Sequence, residues 1–587
     1  MARVALRDLL TLGLCMGVGT GAAEVALRAA PRLGMSTGDV LAWLATSVVL
    51  FAAWLAASAV VAWGVGRFSR GLILSAAVVV QAALYYRFEL FLNEFLYDPK
   101  VWGGLLAITV GSLLLGLATD GLLARTQKAV QRAFLAVAVV SSVVAVVRAQ
   151  PVSGTAGEQP NILLITLDTT RPDQLSAYGA DNDTPAIGRL AAEGVVFEEA
   201  IAAAPLTEPS HLAILTGIPP YISGVVSNGT PIGDRPALLP RLLQDSGYIT
   251  AGFVSGFPLH SKYGWTQGFD VYDDDFGRFR GLHALSLVKA WDQIFLPAHT
   301  LRERRGDIAT GRALSWLSEH HDEQFFLWLH LFDPHAPYEA PGHPFDPPTD
   351  GASLELPMYW PPPHKAITST DWLEQAYQAE IRYADALVGE VLSALEAQGQ
   401  LDNTIVVLTA DHGESLTEHS YLFDHGDHLY DASLKVPFIV RHPDSARAGH
   451  RVGCQVSNVD VTPTLIGLLG LEDETKRYGA DLRAALGGGD CAETTVVSTT
   501  VGGRFMETPP IDNAIRAAAH KFIQKGAGEE LCFDLAADPG EEQSLGDCPA
   551  DVRALLETAL ELRGDVASPT MDPDTLDALR ALGYIDE

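Results

Sequence analysis

Hydrophobic and polar positions divide this chain into two regimes that meet near residue 150. Before that point, long apolar stretches recur at about 9–27, 40–66, 71–92, 103–123 and 133–147. Roughly 20 apolar residues cross a bilayer core, so the middle three are long enough to span on length alone. The first stretch contains Glu24 and the last is short, which leaves four or five spans. After residue 160 the apolar runs become short and alternate with amphipathic ones. NILLITL is a continuous apolar run suited to a parallel strand buried on both faces. TPAIGRLAAEGVVFEEAI, LPRLLQDSGYITAGFV and GEVLSALEAQGQLDNTIVVLTA each read as helix, glycine turn and strand. Repeated, that rhythm predicts an α/β fold with a doubly wound sheet.

Toward the C-terminus the rhythm changes. VSNVDVTPTLIGLLGL predicts a helix packed on the main sheet. TTVVSTT, NAIRAAAHKFIQK and ELCFDLAAD predict a small antiparallel sheet, with helices over 551–587. The expected organisation is a multi-span helical membrane region over 1–149, and a Pro/Gly/Ser/Gln linker over 150–159. A catalytic domain over 160–455 follows, and 456–587 completes it and adds a small α+β subdomain.

Charge sharpens the division. Of the net −32, residues 1–149 carry 12 Lys and Arg against 7 Asp and Glu, or +5, which leaves −37 on the remainder. A domain that acidic gains nothing from nucleic-acid phosphates, so no nucleic-acid partner is expected. With the N-terminus inside, Arg3, Arg7, Arg67, Arg70, Arg125, Lys128 and Arg132 are cytoplasmic, against Arg28, Arg32, Arg87, Lys100 and Arg148 outside. Five spans then place the catalytic domain of an integral membrane protein on the non-cytoplasmic side. Four cysteines lie in the acidic part, and Cys532 and Cys548, which flank one short loop, are the expected disulfide pair.

Three segments carry candidate chemistry. NILLITLD ends in Asp168, and TIVVLTADHGE carries Asp411 and His412. In open α/β sheets ligands collect at the carboxyl ends of strands, where both acids stand. In PLTEPSHLAILTG, Pro209 and Gly217 bracket a short helix with Thr207 at its N-terminal edge and His211 one turn on. Asp168, Thr207, Asp411 and His412 make a mixed N/O donor set that suits one divalent metal, Zn²⁺ or Mn²⁺ in preference to Ca²⁺. Metal coordination would lower the pKa of the Thr207 hydroxyl, whose alkoxide attacks phosphorus or sulfur.

The blocks NILLITLDTTRPDQLSAYG, TEPSHLAILTG, TQGFDVYDDDF, FFLWLHLFDPHAPYEAP, DNTIVVLTADHGESLTEH, HGDHLYDASLKVPFIVRHP and LCFDLAADPGEEQSL stand in the order of the sulfatase family of the alkaline phosphatase superfamily, which residues 160–545 resemble. The resemblance implies that His335 and His425 bind substrate oxygens or protonate the leaving group, with His428 competing for the role. His211 stands where the family usually has Arg, and is expected to join them in catalysis. Sulfatases convert a Cys or Ser at the position of Thr207 to formylglycine, a route closed to Thr. Asp168-Thr169 replaces the family's paired acids, and a Lys commonly found in the family has no clear counterpart in FVSGFPLHSKYGW, although Lys262 lies nearby. Members with a Thr nucleophile include lipoteichoic acid synthases and phosphoethanolamine transferases, which share the architecture of membrane spans before an exported domain. The expected activity is cleavage or transfer of a phosphate-type ester, with a lipid- or glycan-linked substrate, through a Thr207 intermediate. Sulfuric ester hydrolysis and non-catalytic binding of anionic glycans are the alternatives. His330, inside the apolar run FFLWLHL, is expected to be packing.

Overall fold

The computed structural model describes residues 159–276 and 303–563, apart from 234–237, 344, 358–359, 361–363, 444–446, 490, 492–493, 503–509 and 518. The expected membrane spans, the linker up to residue 158 and the last predicted helices lie outside the described residues. Among the described residues, no helix is long and apolar enough to cross a membrane.

The main strands are β1 (Asn161–Leu167), β2 (Val195–Ile201), β3 (Ile249–Phe253), β4 (Val271–Asp273), β5 (Phe325–Leu331), β6 (Thr404–Ala410), β7 (Lys435–Arg441) and β8 (His450–Ser457). They form one eight-stranded sheet in the order β4-β3-β5-β1-β6-β7-β2-β8. All neighbours are parallel except β7, which runs antiparallel to both β6 and β2. The helices are α1 (Pro185–Glu193), α2 (Thr207–Thr216), α3 (Leu239–Asp245), α4 (Gly306–Glu319), α5 (Thr370–Ala397) and α6 (Val461–Leu469), with shorter turns between them.

Strand alternation separates two cores. Ile162, Leu164, Ile405 and Val407 pack with α2, α3 and α6 through Leu212, Leu215, Leu243 and Leu465. Leu163, Ile165, Val406 and Leu408 face the other way, toward α1, α4 and α5 through Ile187, Ala313 and Val388. Both faces of β1 and β6 are therefore covered, which is why these strands read as unbroken apolar runs. The helix α2 has no wet face: all ten of its residues are buried. It ends at Gly217, whose φ of 65° is the left-handed C-cap that glycine adopts without strain.

A second, four-stranded antiparallel sheet has the order β12-β11-β10-β9. Its strands are β9 (Val496–Val501), β10 (Ile511–Ala517), β11 (His520–Gln524) and β12 (Glu530–Asp534). Helix α7 (Ala550–Glu561) covers it with Val552 and Leu556. This is the small sheet the sequence predicts, and β8, spanning residues 455 and 456, still belongs to the large sheet. Cys532 pairs with Cys548 as expected, and Cys454 with Cys491.

Candidate active site

Strand register builds the centre. In the parallel pair β1–β6, Leu167 lies opposite Ala410, so Asp168 and Asp411 leave the sheet side by side. The Asp168 N–H is held by the Leu331 carbonyl at 2.9 Å, which fixes where the chain leaves β1. The Asp411 carbonyl accepts from Ser210 Oγ at 2.6 Å and Asn458 Nδ2 at 3.0 Å. Ser210 sits on α2, so this contact ties the helix carrying Thr207 to the end of β6. Gly413 is required next to His412, because a Cβ there would meet the backbone carbonyl of Ala432.

Asp168, Thr207, Asp411 and His412 are all fully buried. Ligand atoms of Asp168, Asp411 and His412 lie within 4.8 Å of one another. Asp168 Oδ1, Thr207 Oγ1, Asp411 Oδ2 and His412 Nε2 have no hydrogen-bond partner. A buried polar atom without a partner is costly, and four in one place point to a missing common partner. Burial pushes both carboxyls well above the usual range, and for Asp411 the neighbouring charge of Asp168 adds to the effect. Burial likewise holds His412 down to about 3, so its ring is neutral. Its Nδ1 lies 2.9 Å from the Gly413 carbonyl and donates to it, which leaves the Nε2 lone pair for a cation. Two carboxylates, one hydroxyl and one neutral imidazole fit a divalent metal.

The N-terminus of α2 offers less to an anion than its sequence suggests. Pro209 has no N–H, and that of Glu208 is taken by Asn228 Oδ1 at 2.9 Å. The Thr207 N–H and the helix dipole remain.

His335 and His425 line up beside His412. The His412 and His425 rings are 4.6 Å apart, and those of His425 and His335 are 5.0 Å apart. Glu414 Oε1 lies 3.1 Å from His425 Nδ1, so the carboxylate orients that ring. His211 and His428 are placed differently. Both nitrogens of His211 are engaged, Nδ1 with the Thr207 carbonyl at 2.8 Å and Nε2 with Thr166 Oγ1 at 3.0 Å. It has no nitrogen left for substrate, and it braces the first turn of α2 rather than taking the catalytic role expected of it. The ring of His428 packs on Tyr421 at 4.6 Å and Tyr430 at 5.8 Å, and burial lowers its pKa. The structure does not bring it to the three aligned rings.

Sequence reasoning missed His330. It is not mere packing: its Nε2 lies 3.2 Å from Asp168 Oδ2. The register that places Thr166 opposite His330 sets this contact, and an apolar run alone does not reveal it. Asn458 was missed too. Its amide joins Ser210, Asp411 and the Ala203 N–H.

The Sulfatase family model matches residues 160–471. A sulfatase of Formosa agariphila is 27% identical over 439 residues, covering 65% of this chain and 82% of that protein. The Delta 4,5-hexuronate-2-O-sulfatase of Bacteroides thetaiotaomicron is 28% identical, covering 71% and 92%. The solved phosphonate monoester hydrolase of Agrobacterium radiobacter superposes with a TM-score of 0.55 at 22% identity, covering 70% of this chain and 96% of that one, which is a likeness of fold. With the strand-end acids, the buried hydroxyl and the family match in place, the chain belongs to the sulfatase family and is an ester-cleaving enzyme.

Proposed function

We propose that this enzyme cleaves or transfers a phosphate-type ester, with Thr207 Oγ1 as nucleophile and one divalent metal held by Asp168, Thr207, Asp411 and His412. The observation that carries the reading is the convergence of four buried, unpartnered donor atoms, one of them a hydroxyl on the first turn of a helix. The metal, when bound, would offset the two carboxylates and lower the pKa of the hydroxyl. Thr207 Oγ1 passes its proton to the neighbouring Asp168 carboxylate and forms a bond to phosphorus as the bond to the leaving alcohol's oxygen breaks. His425, oriented by Glu414, or His335 beside it supplies the proton the leaving oxygen takes. Water or a second alcohol then attacks the Thr207 ester, and the hydroxyl is restored.

Sulfate ester hydrolysis is the second reading. The relatives' names favour it, one of them specifying a sulfated sugar. A sulfate ester presents a similar tetrahedral anion, and attack by Thr207 on sulfur needs no formylglycine. A glycan-linked substrate follows from the same names. The apolar first quarter supports a membrane anchor and a lipid-linked alternative. Two disulfides support a catalytic domain on the non-cytoplasmic side, because such bonds persist in oxidising compartments.

The test uses the full chain loaded with Zn²⁺ or Mn²⁺, on a phosphodiester, a phosphomonoester and a sulfate ester of one chromogenic alcohol. Phosphoester turnover that is lost in Thr207→Ala is the expected result. Turnover of the sulfate ester alone reverses the order of the two readings, and turnover that survives in Thr207→Ala removes Thr207 as nucleophile.

A further inference from the structure

Between the ligand Asp168 and the rest of its loop stands a residue whose backbone is held against its own preference. Thr169 has φ of 48°, in the left-handed region that a β-branched side chain enters only under constraint. It is fully buried, and its Oγ1 has no hydrogen-bond partner, so the side chain does nothing to offset the strain. Strain of this kind persists only where surrounding contacts over-determine it.

Those contacts are visible. The Thr169 N–H donates to Asp411 Oδ1 at 3.2 Å, and the His412 N–H donates to the same oxygen at 2.8 Å. Asp411 Oδ1 is thereby taken up by backbone, and Oδ2 is left 3.5 Å from His412 Nε2. On the other side of the peptide, the Thr169 carbonyl accepts from the Tyr377 hydroxyl at 2.6 Å. That phenol oxygen also accepts from the Arg171 N–H at 3.2 Å, so its single proton has one destination. Tyr377 stands on the long helix α5, is fully buried, and packs against Tyr338 with ring centres 5.4 Å apart.

We propose that Tyr377 is a positioning residue for the metal centre: its hydroxyl pins the left-handed turn at Thr169, and the turn aims the Thr169 N–H at Asp411 Oδ1 so that Oδ2 is presented to the cation. On this account neither residue is a ligand of the ion. The inference rests on the metal site proposed above, and it adds a link from α5 to that site which the ligand set alone does not contain.

The test is a titration of the metal-free full chain with Zn²⁺ or Mn²⁺, together with the thermal midpoint of the metal-free protein. Tyr377→Phe keeps the ring and removes only the hydroxyl. Its metal affinity should fall about 10-fold or more, in the range seen for outer partners of metal ligands, with little change in the metal-free midpoint. Glycine adopts a positive φ without steric cost, so in a Thr169→Gly background the same Tyr377→Phe change should cost clearly less. Equal affinity of Tyr377→Phe and wild type overturns the inference. So does an equal loss in both backgrounds, or a metal-free midpoint that falls in step with affinity, since each marks Tyr377 as packing alone. Thr169→Val is the second variant and does not depend on Tyr377→Phe folding. It keeps the branched side chain and should bind metal as wild type does. Lost binding in Thr169→Val would make the hydroxyl a ligand and overturn the positioning account. A wild-type chain that takes up neither ion overturns the site itself, which separates that failure from this one.

Discussion

His330 Nε2 on β5 and Asp168 Oδ2, one residue past the end of the adjacent parallel strand β1, lie 3.2 Å apart, both side chains fully buried. Burial holds His330 down to about 3, so the ring is neutral at working pH and donates a hydrogen bond rather than bringing a charge. That bond fixes one oxygen of Asp168 and leaves the other for the proposed metal. His330→Phe retains an aromatic ring without the donor. It should weaken metal binding by about 10- to 100-fold, and excess metal should recover most of the lost turnover. Affinity unchanged by the substitution would reduce His330 to packing.

On the proposed mechanism Thr207→Ala removes the nucleophile and one ligand together, so the two losses have to be separated. Turnover should fall by at least about 10³-fold even at saturating metal. Thr207→Ser keeps the hydroxyl and should keep measurable turnover. Acid-quenched wild type caught during turnover should carry substrate-derived mass on the peptide containing Thr207. An unmodified peptide under conditions of rapid turnover would count against a covalent intermediate.

Chelation should destabilise the domain in a pH-dependent way. In the metal-free state burial raises both Asp168 and Asp411 above ordinary carboxyls, so the folded protein holds protons there that the unfolded chain releases. Their contribution to metal-free stability is therefore fully present below the unfolded pKa and declines as pH rises. Metal competes with those protons, so the gain in thermal midpoint on adding metal should grow from pH 5 to pH 8. A gain that is flat across that range would place the ion elsewhere.

Glu380 offers a test away from the metal. Burial, helped by the charge of Asp333, pushes its carboxyl up to about 9. Its Oε1 accepts the Glu339 N–H, which ties α5 to the loop bearing His335. With the folded pKa above the unfolded one, stability falls as pH rises from about 4 to about 9. Glu380→Gln keeps the acceptor and removes the titration. It should be more stable than wild type at pH 8 by roughly 1–3 kcal/mol, with the difference vanishing near pH 4. A variant less stable than wild type at pH 8 would mean that Glu380 is ionised in the fold.

The parts of this molecule legible in its sequence are those set by local pattern. NILLITL and TIVVLTA announce buried parallel strands because both their faces are covered, and the acid after each strand marks the carboxyl edge. What pattern does not carry is register and rotation. His330 looks like filler until β5 is laid beside β1, and the donor to Asp168 Oδ2 then becomes plain. His211 is one turn from Thr207 as expected, yet its ring turns beneath the site because Thr166 and the Thr207 carbonyl both claim it. The left-handed turn at Thr169 has no signal at all, since Thr is among the residues least suited to it. The reversed direction of β7 was hidden for a related reason: an apolar run has no arrow.

The order in which the chain supplies its ligands also has a consequence for assembly. Asp168 and Thr207 come early, while Asp411 and His412 follow the sixth strand, which must slot in next to the first before the four donors meet. No growing chain that stops short of residue 412 can hold the ion. On the proposed donor set, metal acquisition would be a late event of maturation, taking place wherever the finished sheet forms. On the proposed non-cytoplasmic placement, the ion would be drawn from that compartment's supply. The resident metal is then decided as much by what is available there as by the donor set.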